Sequence, residues 1–160
     1  MGRRAEALAN RIEQGASELA SYAEKLSDAQ WRTAVPRDGR TVGVIVHHVA
    51  SVYPIEVMLA QKIAAGTAVT DVTWEAVAQM NAGHAKDNAG ISKAAALELL
   101  KQASRDAAAA VRKMSDEELD GSAPFSLSFG APVTAQFVIE DHALRHSWHH
   151  LARIRAALGN

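Results

Sequence analysis

Apolar residues recur every three or four positions through four long stretches of this chain, and a helical period sustained that far commits the fold to helices. Residues 3–26 set Leu8, Ile12, Ala16, Leu19, Ala20, Ala23 and Leu26 on one face. The second stretch opens at Thr41 as an N-cap and carries Val44, Ile45, His48, Val52, Ile55 and Leu59 on one face to about Ala65, where Gly66 closes it. It contains Pro54, which lacks an amide donor and crowds the carbonyl four residues back, so a kink or local break is expected there. Ser92 caps the third, with Ala96, Leu99, Leu100, Ala103, Ala107, Ala110 and Val111 in register. The last runs from Thr134 to Leu158 and ends at Gly159.

The segments between are weaker. SDAQWRTAVPRDGR breaks the period with Pro36 and the Asp38-Gly39 pair, and holds Trp31. Residues 73–90 open on Thr73 and read as helix to Gly90, with Gly83 loosening the middle. Ser115 with Glu118 forms a capping box for one short turn. GSAPFSLSFGAPV is a loop or short extended piece, in which Phe125, Leu127 and Phe129 alternate with small residues. With no sustained strand pattern and no internal repeat, the chain reads as an all-α single domain over residues 1–160, a four-helix bundle.

Charge and sulfur narrow the function. Seventeen basic and eighteen acidic residues are intermixed, so no basic stripe exists for nucleic acid or an anionic membrane surface. No run reaches the roughly 18 apolar residues of a bilayer span, and MGRRAEALANRIEQ forms no signal-peptide core, so a cytoplasmic protein with no membrane partner is expected. The chain has no cysteine, which excludes disulfides, thiolate ligands and a Cys nucleophile. Any metal must be held by nitrogen and oxygen.

The seven histidines are not scattered evenly, and RHSWHH holds three of them. At about 100° per residue from Ile139, His146 falls near −20° and His150 near 20°, inside the core-facing stripe. His142 and His149 fall to one flank, while Leu144, Trp148 and Leu151 occupy the far side. His48 lies on the inward stripe of the second helix, with His47 rotated away. Facing helices of a bundle build metal sites from such inward side chains, and an i, i+4 pair can clamp one ion. The competing arrangement is a hydrogen-bonded core cluster of imidazoles with no ion. The protease pattern is absent, because HSWHH lacks a glutamate after its first histidine.

At these residues the chain resembles the DinB/YfiT-like metalloenzyme superfamily, which includes the metal-binding domain of mycothiol-dependent maleylpyruvate isomerases. RTVGVIVHHVASVY, residues 40–53, is similar to that family's second-helix signature, with its inward histidine at His48. RHSWHHLARIRAALG, residues 145–159, is similar to its last-helix pattern, with ligands at His146 and His150. The chain departs from the commonest version, carrying Arg145 before the first of these histidines and Leu151, Ala152 and Arg153 after the last. The resemblance implies an up-down-down-up bundle, a three-histidine divalent metal site holding zinc or nickel, often a homodimer, and thiol transfer, thiol-dependent isomerisation or hydrolysis.

Three imidazoles leave an open position where a bound ion activates water or a thiol toward a small electrophile, with a low-molecular-weight thiol as a possible cosubstrate. The alternative is a non-catalytic, metal-stabilised bundle serving as a binding or stress-associated protein. His142 is the candidate base, or a partner that orients a ligand. Asp141 and Glu140 read as solvated or paired with Arg145, His84 as a solvent-facing residue that could reach the mouth, and His47 and His149 as capping or surface residues. Trp31, Trp74 and the Phe125, Leu127, Phe129 segment read as a plug for one bundle end rather than a lid. The outer stripe Leu144, Trp148 and Leu151 calls for a covering partner, for which a symmetric dimer is expected.

Overall fold

The computed structural model describes residues 2–159. Its long helices are α1 (Arg3–Glu24), α3 (Val42–Ala64), α5 (Lys93–Arg112) and a last helix made of α7 (Ala135–Val138), a π-helical turn (Ile139–Leu144) and α8 (Arg145–Leu158). Short helices α2 (Asp28–Trp31) and α6 (Asp116–Asp120) and the peripheral α4 (Trp74–Asp87) sit in the connections. The predicted caps form: Thr41, Thr73, Ser92 and Thr134 each accept a backbone N–H of the following turn, and Ser115 with Glu118 closes a capping box.

Side-chain pairs fix the direction of each helix. Arg112, at the end of α5, bonds Glu6 and Glu13 near the start of α1, and Lys101 bonds Glu24, so α1 and α5 are antiparallel. Trp31 packs against Gly43 at the start of α3 and donates its indole N–H to the Ile91 carbonyl just before α5. Gly121, beyond the end of α5, lies against Ala64 at the end of α3, so α3 and α5 are parallel. The last helix returns: Arg153 near its end reaches Asp38 before α3, while Arg4 and Arg11 of α1 bond Gln136 and Glu140 near its beginning. The result is an up-down-down-up bundle. α5 and the last helix each pack against both α1 and α3, so the helices consecutive in sequence, α1 and α3, do not form the principal pairs.

α3 is the central element, buried on most of its circumference. By length and composition it could cross a bilayer, contrary to the expectation that no run is apolar enough, but 72% of that stretch is buried inside the bundle. It also runs through Pro54 without a break. Beside it, α4 has no buried residue and ends at Asp87, three residues before Gly90.

The segment after α6 forms a small antiparallel hairpin of β1 (Ser122–Pro124) and β2 (Pro132–Thr134) around a 3₁₀ turn (Ser126–Ser128). Phe125 and Leu127 are buried and plug this end, as Trp31 does the other, whereas Phe129 is 93% exposed with a left-handed φ of 58°. Trp74 is also exposed.

The π turn was not anticipated. It widens the last helix and shifts the phase of what surrounds it. Leu144 and Leu151, expected on a bare outer stripe, are buried within the chain's own core. Trp148 alone of the three stays exposed, with its indole edge over α1 at Gly15, where an added Cβ would lie 2.9 Å from Nε1. Of the expected stripe only Trp148 is left open to a partner.

Candidate metal centre

α3 delivers His48 two turns into the helix, and α8 delivers His146 and His150 one turn apart. One ring nitrogen from each of the three lies within 4.8 Å of the others. His48 Nε2 and His146 Nε2 are 3.2 Å apart, and the ring centroids are separated by 4.9 Å (His48–His146), 5.5 Å (His48–His150) and 4.8 Å (His146–His150). The two helices are locked at this level by a buried hydrogen bond of 2.6 Å between the Tyr53 hydroxyl and Ser147 Oγ.

His48 and His150 are each only 4% exposed. Burial, reinforced by the neighbouring His146, pushes His48 down to about 3, and burial pushes His150 lower still. Both therefore stay neutral at ordinary pH, the form in which imidazole can bind a metal. His150 Nδ1 is buried without a hydrogen-bond partner. Neutral, convergent and partly unsatisfied nitrogen donors are a donor set that fits a divalent ion.

Glu56, which the sequence pattern did not single out, stands behind His146. Its Oε1 is 2.7 Å from His146 Nδ1, the residue is 6% exposed, and Oε2 is buried without a partner. Ile55, expected inward, is instead exposed at the cavity wall. A signal was present: Glu56 is the only carboxylate between Asp38 and Asp71, and no charged residue lies between Arg40 and it.

A cavity of about 530 Å³ opens over the three histidines. Val52, Ile55 and Leu59 of α3 and Trp74, Val77 and Met80 of α4 supply apolar wall. Its arginines are already engaged by carboxylates, Arg40 and Arg153 by Asp38 and Arg145 by Asp141.

His142 also lines the cavity, with burial holding it below the usual imidazole range. Its ring meets the Phe125 ring edge-on at 5.5 Å, and its Nε2 is 3.9 Å from Asp141. The carboxylate in contact with His146 is Glu56, whose charge also acts on His142. Asp141 pairs with Arg145 as expected, whereas Glu140 pairs with Arg11. His84 does not line the cavity: its Nε2 is 2.8 Å from His47 Nδ1, and its ring stands 5.6 Å from His48. His47 is thus a tie between α3 and α4 rather than a capping residue. His149 lines the cavity rim beside His150.

A family model described as the DinB superfamily matches residues 11–154. Among solved structures, YfiT from Bacillus subtilis, described as a probable metal-dependent hydrolase with an unusual four-helix bundle topology, superposes with a TM-score of 0.76. The two share 19% identity, over 98% of this chain and 87% of that one, a likeness of fold. No curated protein sequence matches.

Proposed function

The chain belongs to the DinB superfamily, and from that premise we propose that it is a divalent-metal enzyme acting on a small electrophilic molecule. His48, His146 and His150 are the ligands, and the observation that carries this is the convergence of their ring nitrogens within 4.8 Å. Among the described residues the group brings three protein donors together, which leaves room for an exogenous ligand, the pattern of catalytic rather than closed structural sites. Zinc and nickel both suit an all-imidazole donor set. When bound, such an ion supplies Lewis acidity that makes water or a thiol nucleophilic near neutral pH.

The chain's own residues shape the rest. Burial keeps His48 and His150 unprotonated and so available as donors. Any attacking thiol must come from a separate small molecule, since the chain has no cysteine. The apolar α3 and α4 walls suit an uncharged substrate, and the wall arginines are occupied by carboxylates rather than free to bind an anion. These features favour an uncharged electrophile attacked by water or by a low-molecular-weight thiol. The open cavity also favours catalysis over a purely stabilising ion.

Elemental analysis of untagged protein tests the centre. Near one equivalent of zinc or nickel in wild type, lost in His146→Ala, is the expected result. Wild-type zinc affinity in His146→Ala would overturn the ligand assignment.

A further inference from the structure

We infer that Glu56 is the positioning residue of this centre, acting through His146 by holding that imidazole's proton on Nδ1 so that Nε2 presents its lone pair toward His48 and His150. The inference rests on the metal-centre proposal and goes beyond it, because the ligand set does not require a carboxylate.

Three observations carry it. The first is contact: Glu56 Oε1 lies 2.7 Å from His146 Nδ1, the length of a charge-assisted hydrogen bond. With Oε1 as the acceptor, the hydrogen in that contact sits on the imidazole. Nδ1 then carries the hydrogen, which leaves the Nε2 lone pair as the ring's donor to an ion. That nitrogen is the one 3.2 Å from His48 Nε2, on the side where the three ligand nitrogens converge.

The second is isolation. Glu56 is buried, Oε2 has no partner, and no lysine or arginine pairs with it. A buried carboxylate without a cationic partner is costly. Positive charge one imidazole ring away, as a divalent ion on Nε2 would provide, offsets that cost through the hydrogen bond. The third is placement. Glu56 is two helical turns along α3 from His48, so one helix carries both a ligand and the group that orients the opposing ligand. The Tyr53–Ser147 bond fixes the two helices beside it. Carboxylate–imidazole pairs of this kind orient ligating rings and strengthen them as donors.

The experiment combines nitrogen NMR of the histidines with zinc affinity by competition against a chromophoric chelator, on wild type and Glu56→Gln. In metal-free wild type His146 should carry its proton on Nδ1, and zinc should leave that proton in place. Glu56→Gln is nearly isosteric, but its amide can donate as well as accept, so a mixture of His146 tautomers is expected, with zinc affinity lower by roughly 10- to 100-fold. The circular dichroism spectrum should match wild type. Affinity within twofold of wild type together with an unchanged tautomer would overturn the inference. Should Glu56→Gln fail to fold, the wild-type spectrum decides: a His146 proton on Nε2 with bare Nδ1 refutes it. Failure of wild type to bind zinc or nickel would instead sink the metal centre, a result distinct from the tautomer readout.

Discussion

Metal-stripped protein should lose stability steeply between pH 7.5 and pH 5, and His48 and His150 should account for a definable part of the loss. Each imidazole titrates near 6.5 in the unfolded chain, whereas burial holds both well below that value in the folded state. Below pH 6.5 the unfolded chain therefore binds a proton at each position and the native protein does not. Stability rises with pH wherever the unfolded state holds more protons, so acidification through this window favours unfolding. At pH 5, about 1.5 units below the unfolded value, each residue contributes about 2 kcal/mol of lost stability at 1.36 kcal/mol per unit. Together they contribute about 4 kcal/mol, a large share of the roughly 5–15 kcal/mol typical of a domain.

His47, His84, His142 and His149 are pushed the same way by burial, so the wild-type loss as a whole is larger. Glu13 and Asp38 are held below their usual range, and what they contribute is lost only at more acid pH, outside this window. The informative quantity is the difference between wild type and His48→Gln or His150→Gln. Urea denaturation followed by tryptophan fluorescence, in chelator at pH 7.5, 6 and 5, measures it. Each substitution should remove about 2 kcal/mol of the pH-dependent loss. An identical loss in wild type and both variants would mean that these imidazoles take up protons in the native state, and the argument from burial would be wrong.

Three single substitutions away from the histidines have definite outcomes. Gly43→Ala places a Cβ 2.5 Å from the Trp31 indole and should cost about 1–3 kcal/mol in urea unfolding. Gly83→Ala, with nothing near the added methyl on exposed α4, should stabilise by about 0.5–1 kcal/mol in the same assay. Tyr53→Phe removes the buried bond to Ser147 and should cost about 1–2 kcal/mol, with a lower chemical-denaturation midpoint and an unchanged m-value.

The boundaries of the bundle were legible because they rest on local chemistry. Thr41, Ser92 and Thr134 satisfy amides one turn away, and Ser115 with Glu118 does so reciprocally, whatever the rest of the chain does. The three convergent histidines were legible for a related reason: His146 and His150 are one turn apart on any α-helix, and His48 stands among residues that all face inward. The amino-acid order alone therefore determined the helices, the all-α class and the three imidazoles at the centre.

What it did not determine lies where burial comes from several neighbours at once. α3 is enclosed by α5, the last helix and the hairpin, so its inward side is most of a circle, and a one-sided pattern misplaced Ile55 while passing over Glu56. A π turn interrupts the last helix, and Leu144 and Leu151, which a regular period had left bare, are buried in the core. His47 met His84 only because α4 folds back across α3. Helical phase assigns a side chain to a sector relative to its own axis. Whether that sector meets solvent, a core or a ligand is decided by which helices pack there, and in this bundle those helices are distant in sequence.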